Sequence, residues 1–137
     1  MGLILDSSIV IGAERHGYTV AQLLRNIEAA TGDQESALSS VGLTELVHGV
    51  YRSANPTLRL QHENFLNDLF SAVEVVPYTK STALLAGRID GEQRALGVTI
   101  PSMDLLIGAT ALEIGYSLLT ANLRHFRLIP GLNVLAL

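Results

Sequence analysis

Ile100-Pro101-Ser102-Met103-Asp104-Leu105-Leu106-Ile107-Gly108-Ala109-Thr110-Ala111-Leu112 is the stretch that decides the fold. From Leu105 to Leu112 it carries no charge. Wound as a helix it is apolar almost all the way round, and such a helix is normally buried. Pro101 suits its first turn, and Gly115 ends it. Ser117-Leu118-Leu119-Thr120 follows at once and reads as a strand. A buried helix that feeds a short apolar strand is the unit of an α/β sheet protein. One charge sits in this unit, Asp104, and an ionised carboxylate there is costly unless something compensates it.

Working outward, the same alternation recurs. Leu3-Ile4-Leu5 is a short buried strand ending at Asp6, with Ser7 and Ser8 as N-cap candidates for a helix through about Glu14. Val20, Leu23, Leu24 and Ile27 stand at i, i+3, i+4 and i+7, which predicts an amphipathic helix over 19–30, broken by Gly32-Asp33. A strand is expected over 36–40. A third helix starts near Leu43 and stops before Asn55-Pro56, and a fourth covers 57–70. Val73 to Val76 is a strand, 79–96 a fifth helix closed by Gly97, and 101–115 the sixth. Asn122 to Arg127 is a loop or short turn, and Asn133-Val134-Leu135 a last, edge-like strand. This order predicts an α/β fold with a mainly parallel central sheet flanked by helices on both faces. Sites in such folds form at the carboxyl ends of the strands. That rule singles out Asp6, the loop before Leu43, and Thr120 to His125.

Length and composition bound the function. The chain has 137 residues, 48% of them hydrophobic, which suits a single domain over 1–137 with one well-formed core. No apolar run approaches the ~20 residues that span a bilayer, and no signal peptide is visible, so a cytoplasmic protein without a membrane partner is expected. There is no cysteine, which excludes disulfides, thiolate metal sites and a cysteine nucleophile. The net charge of −4 argues against nucleic-acid binding through a generally basic surface. The balance is uneven, however. Residues 1–68 hold four Lys/Arg and eight Asp/Glu, whereas residues 69–137 hold five of each. No glycine-rich phosphate loop is present, which argues against a nucleotide-binding domain or a phosphatase built on one.

Three acids lie on separate elements, 39 and 59 residues apart: Asp6, Glu45 and Asp104. Asp6 follows the first strand, where a helix cap is the ordinary use of Asp. Glu45 is placed in the first turn of the third helix, off its apolar stripe, where a solvated Glu is ordinary. Asp104 has the alternative of a buried Asp satisfied by backbone groups or an Arg. If the three meet at one end of the sheet they repel one another, and cations between them relieve the repulsion. Mg²⁺ and Mn²⁺ prefer such oxygen ligands. Spacing alone does not show that they meet.

At these residues the chain resembles the PIN-domain nucleases, and among them the VapC-type toxins. The resemblance rests on Leu5-Asp6-Ser7-Ser8-Ile9-Val10-Ile11, Leu43-Thr44-Glu45-Leu46, the Ile100–Ala111 segment, Leu119-Thr120-Ala121-Asn122-Leu123-Arg124-His125-Phe126 and a closing Ile129-Pro130-Gly131-Leu132. It implies a Mg²⁺- or Mn²⁺-dependent endoribonuclease whose catalytic, metal-holding acids are Asp6, Glu45 and Asp104. It further implies inhibition by a cognate VapB-type antitoxin and a homodimer. Family members often carry another acid after the fourth strand; here Asn122 and His125 hold those positions, with Asn122 suited to position a water. Ser7 and Thr120 are candidates to orient ligands, with helix capping and a strand-end position as the equal alternatives. Arg88, Arg94, Arg124 and Arg127 are candidate contacts to the RNA backbone. The alternative, from another class, is a non-catalytic PIN-like module that binds RNA or a protein partner.

Overall fold

The computed structural model describes residues 1–137. Five strands alternate with seven helices: β1 Gly2–Leu5, α1 Ser7–Arg15, α2 Val20–Thr31, β2 Glu35–Ser39, α3 Ser40–Arg52, α4 Pro56–Ala72, β3 Glu74–Val76, α5 Lys80–Ala95, α6 Ser102–Glu113, β4 Ser117–Thr120, α7 Leu123–Phe126 and β5 Val134–Ala136. The strands form one sheet in the order β3-β2-β1-β4-β5, every neighbouring pair parallel. The mainly parallel sheet expected from the alternation is therefore wholly parallel.

The period of two along β1 assigns the two faces. Leu3 and Leu5 pack with Ile9 and Val10 of α1, Leu23 and Ile27 of α2, Leu46 and Val50 of α3 and Leu66 and Leu69 of α4. Ile4 points the other way, toward Ala86 and Ile89 of α5, Ile107 of α6 and Phe126 of α7. Helices thus cover both faces, as a sheet buried on both sides requires. The α6 segment is enclosed on nearly all sides, with Ile107, Ala109 and Ala111 fully buried. Burying a side chain such as Ile107 contributes about 1.5–3 kcal/mol. Gly108 does not face the sheet. A Cβ there would stand 2.3 Å from Cδ1 of Ile129, in the segment between α7 and β5. Its missing side chain lets that segment close over α6.

Element ends follow local chemistry. Thr19 and Gln22 form a reciprocal capping box at the start of α2. Asn55 accepts from the amides of Thr57 and Leu58 ahead of Pro56 at the first position of α4. Three expected boundaries move. α3 begins at Ser40, not near Leu43, because the Ser39 hydroxyl accepts from the Gly42 amide and caps it there. α1 begins at Ser7, which puts Asp6 rather than Ser7 or Ser8 in the N-cap position. Pro101 likewise occupies the N-cap position of α6, with extended backbone, and the helix starts at Ser102. Asn122 to Arg127 contains one helical turn, α7. No helix is long and apolar enough to cross a membrane.

Candidate active site

The chain builds the sheet outward from β1 through β2 to β3, then returns to the other side of β1 with β4 and β5. The direction of winding reverses between β1 and β4, and the crevice beyond their carboxyl ends is where open parallel sheets bind ligands. Asp6 leaves β1 at this crevice, and Thr120 ends β4 beside it. The backbone amide of Asp6 donates to the Leu119 carbonyl at 2.9 Å, which extends the β1–β4 ladder to the site. α1 and α3 begin directly after β1 and β2, and α6 runs back to the start of β4. All three helices therefore present their N-termini at this edge, where the helix dipole favours negative charge.

Asp6 is buried, at 4% exposure. Although it sits at the N-cap position, its carboxylate makes no capping bond to α1. Its Oδ2 instead accepts from Ser8 Oγ at 2.7 Å and from Thr120 Oγ1 at 2.8 Å. The two hydroxyls are themselves fixed, Ser8 Oγ accepting from the Ala121 amide at 3.0 Å and Thr120 Oγ1 from the Asn122 amide at 2.9 Å. Asp6 therefore does not cap α1 through a backbone amide; its carboxylate is held between the Ser8 and Thr120 hydroxyls.

Glu45 lies in the second turn of α3, one turn deeper than expected, because Ser39 moves the helix start back to Ser40. Ser7 Oγ donates to its Oε1 at 3.2 Å. Burial is the main reason its pKa is raised; the Ser7 bond opposes this, and the nearby charges of Asp6 and Asp104 add to it. Asp104 is in the first turn of α6 and half-buried. Its pKa is also raised, chiefly by burial, with the His125 hydrogen bond opposing and the Asp6 charge adding. His125 Nδ1 stands 2.8 Å from Asp104 Oδ2. The three acids thus share one electrostatic field. Each has one oxygen held by a protein group, and the other oxygen, Oδ1 of Asp6 and Asp104 and Oε2 of Glu45, takes no protein hydrogen bond. They remain open rather than closed into a cage: no three His, Asp or Glu side chains are close enough to enclose an ion by themselves.

The remaining candidates divide. Asn122, exposed at the start of α7, leaves its side-chain amide without a capping bond at the rim of the crevice. Thr120, at the end of β4, donates to Asp6. Ser7 orients Glu45 rather than Asp6, and Ser8, which the sequence suggested only as a cap, orients Asp6. Its signal was the Asp6-Ser7-Ser8 spacing, which lets a hydroxyl two residues on reach back to the carboxylate. Arg124 and Arg127 flank His125, exposed and without an ion pair. Arg88 and Arg94 are not at the acids; they lie on the exposed side of α5, paired with Glu92 at 2.8 Å and Asp90 at 3.0 Å.

A family model of the PIN domain matches residues 3–132. The chain belongs to the PIN-domain family. Ribonuclease VapC1 of Rickettsia felis is 36% identical over 135 residues, covering 98% of this chain and 96% of that protein. Ribonuclease VapC19 of Mycobacterium tuberculosis is 32% identical over 129 residues, covering 94% and 95%. Among solved structures, VapBC2 from Rickettsia felis, bound to a DNA fragment from its promoter, superposes with a TM-score of 0.86 at 26% identity, covering 100% of this chain and 99% of the other. The fold is the PIN fold, and this PIN-domain chain is an endoribonuclease of the VapC type, a toxin of a toxin–antitoxin pair. The reading as a non-catalytic PIN-like module is set aside. PIN-domain ribonucleases generally depend on a divalent metal.

Proposed function

We propose that Asp6, Glu45 and Asp104 together hold Mg²⁺ or Mn²⁺ and that this assembly hydrolyses RNA phosphodiester bonds. The observation that carries the reading is the shared arrangement of the three carboxylates: one oxygen of each tied back to the protein, the other free, at the switch point of the sheet. A hard divalent ion fits this donor set, which is all oxygen and carries mutually repelling charge. Mg²⁺ commonly keeps several waters and takes only one or two carboxylates directly, so an open set suits it.

A bound ion supplies positive charge that activates water and steadies the leaving oxygen. The protein's own part is orientation. Thr120 and Ser8 fix the direction of the Asp6 carboxylate, Ser7 that of Glu45, and His125 that of Asp104. Such partners commonly affect metal affinity or activity 10–100-fold, by order of magnitude. The Asn122 amide, at the rim, positions a water or a phosphate oxygen. A cognate VapB-type antitoxin restrains the enzyme, and the chain acts in the cytoplasm as a homodimer. The structural relatives that are VapBC complexes support the antitoxin partner.

The test is cleavage of RNA by the purified protein with and without Mg²⁺, beside Asp6→Asn and Asp104→Asn. Loss of cleavage in both variants, with the fold retained by circular dichroism, is expected. Cleavage unchanged in either variant, or undiminished in EDTA, would sink the assignment.

A further inference from the structure

A cavity of about 460 Å³ opens beside Glu45, lined also by Ser7 and Met103 and by His48 and Arg52 of α3. A second, of about 630 Å³, lies on the other side of the same helix and takes in Leu43, Val47 and Tyr51. The two share Thr44, His48 and Arg52, so they meet along one ridge of α3. Glu45, His48 and Arg52 stand at i, i+3 and i+7, on one face of the helix. At 1.5 Å per residue, Arg52 lies about 10 Å from Glu45 along the axis.

The cation on this ridge is free. Arg52 is exposed and engages no acid, in contrast to Arg88 and Arg94. Tyr51, 61% exposed, carries the Arg59 guanidinium over its ring at 5.4 Å. Arg59 is held in turn by the Ser53 carbonyl, to which its Nη2 donates at 2.7 Å. Arg59 covers one face of the ring, which stands beside the unpaired Arg52 in a groove that begins at Glu45. Cationic grooves with aromatic planes are how proteins hold single-stranded nucleic acid: phosphates meet the cations and bases stack on the rings.

We propose that single-stranded RNA runs from the three acids along α3, a phosphate on Arg52 and His48 and a base on Tyr51. This rests on the ribonuclease reading of the acid site and adds where the strand flanking the cut is held. None of these three residues was a sequence candidate.

The test uses the full chain and a fluorescent single-stranded RNA oligonucleotide, with binding read in EDTA across a salt series and cleavage read in Mg²⁺. Arg52→Ala should weaken binding about 10-fold and lower the slope of log K against log salt by about 0.7, the value for one phosphate contact on a single strand. In cleavage, KM should rise with kcat within about 2-fold, because the contact is remote from the cut. Tyr51→Ala should also weaken binding about 10-fold, and Tyr51→Phe should restore it, since both rings stack. Unchanged binding and salt slope in Arg52→Ala would overturn the proposal. So would variants that bind RNA normally but lose affinity for the antitoxin, which would make the groove a protein interface. The two readings fail separately. RNA cleaved by the wild type and equally by the Arg52 and Tyr51 variants refutes only the groove. RNA bound through Arg52 but never cleaved refutes only the nuclease assignment of the acids.

Discussion

Both ends of the sheet gather acids, and they gather them differently. At the carboxyl end, Asp6 is buried, Glu45 and Asp104 are half-buried, and hydroxyl and imidazole groups fix one oxygen of each. At the amino end, Glu28, Asp33, Glu35 and Glu74 ring a cavity of about 270 Å³, yet all four are exposed. Glu35 there accepts a hydrogen bond from the Tyr116 hydroxyl at 2.9 Å, which raises the phenol's pKa. Water solvates the amino-end carboxylates and screens them from one another. The carboxyl-end acids are partly stripped of water, so burial and mutual repulsion act on them at once. The number of acids does not distinguish the two ends. Burial, helix N-termini and fixed orientation do.

The largest expected effect separates the ends by activity. Asp6→Asn and Asp104→Asn should each reduce RNA cleavage at least about 100-fold, since each removes a charge that holds the ion. Glu35→Gln and Glu74→Gln should leave it within about 2-fold, and a loss as large as at Asp6 would break the contrast. Next in size is orientation. Thr120→Val keeps the shape but removes a donor to Asp6, and metal affinity or activity should fall about 10–100-fold, read by titration and initial rates.

A smaller effect concerns stability without metal. Glu45 and Asp104 bind protons more tightly folded than at their ordinary pKa values of 4.5 and 3.8. As pH rises from those values through the raised folded ones, the folded state carries more protons than the unfolded chain, so stability falls. It is greatest below the ordinary values. Asp104→Asn should flatten this slope and raise metal-free stability at neutral pH by about 1 kcal/mol or less, after solvent screening. Urea melts between pH 4 and 7 read both, and a wild-type curve whose stability increases with pH across that window would contradict the direction. The smallest effect is Tyr116→Phe at the amino end, expected to leave the same melts almost unchanged.

The sequence made the layers legible because apolar period and turn residues write them directly. The uncharged run from Leu105 to Leu112 announced a buried helix, and α6 is enclosed as expected. Capping shifted the boundaries: one hydroxyl, that of Ser39, moved α3 by a turn and Glu45 with it. The acids were legible one by one, but their meeting depends on strand order, which no spacing encodes. Ser8 reaches Asp6 two residues back, but its contact with Thr120 spans 112 residues of chain, and that of His125 with Asp104 spans 21. Arg88 and Arg94 looked like free cations until their i+4 relation to α5 acids became a pair of salt bridges.

Calorimetric titration of Mn²⁺ into the metal-free protein tests the central claim most directly. The account predicts binding by the wild type, weakened at least about 10-fold by Asp6→Asn and by Asp104→Asn and unchanged by Glu35→Gln. Equal Mn²⁺ affinity in the wild type and in both carboxyl-end variants would contradict it.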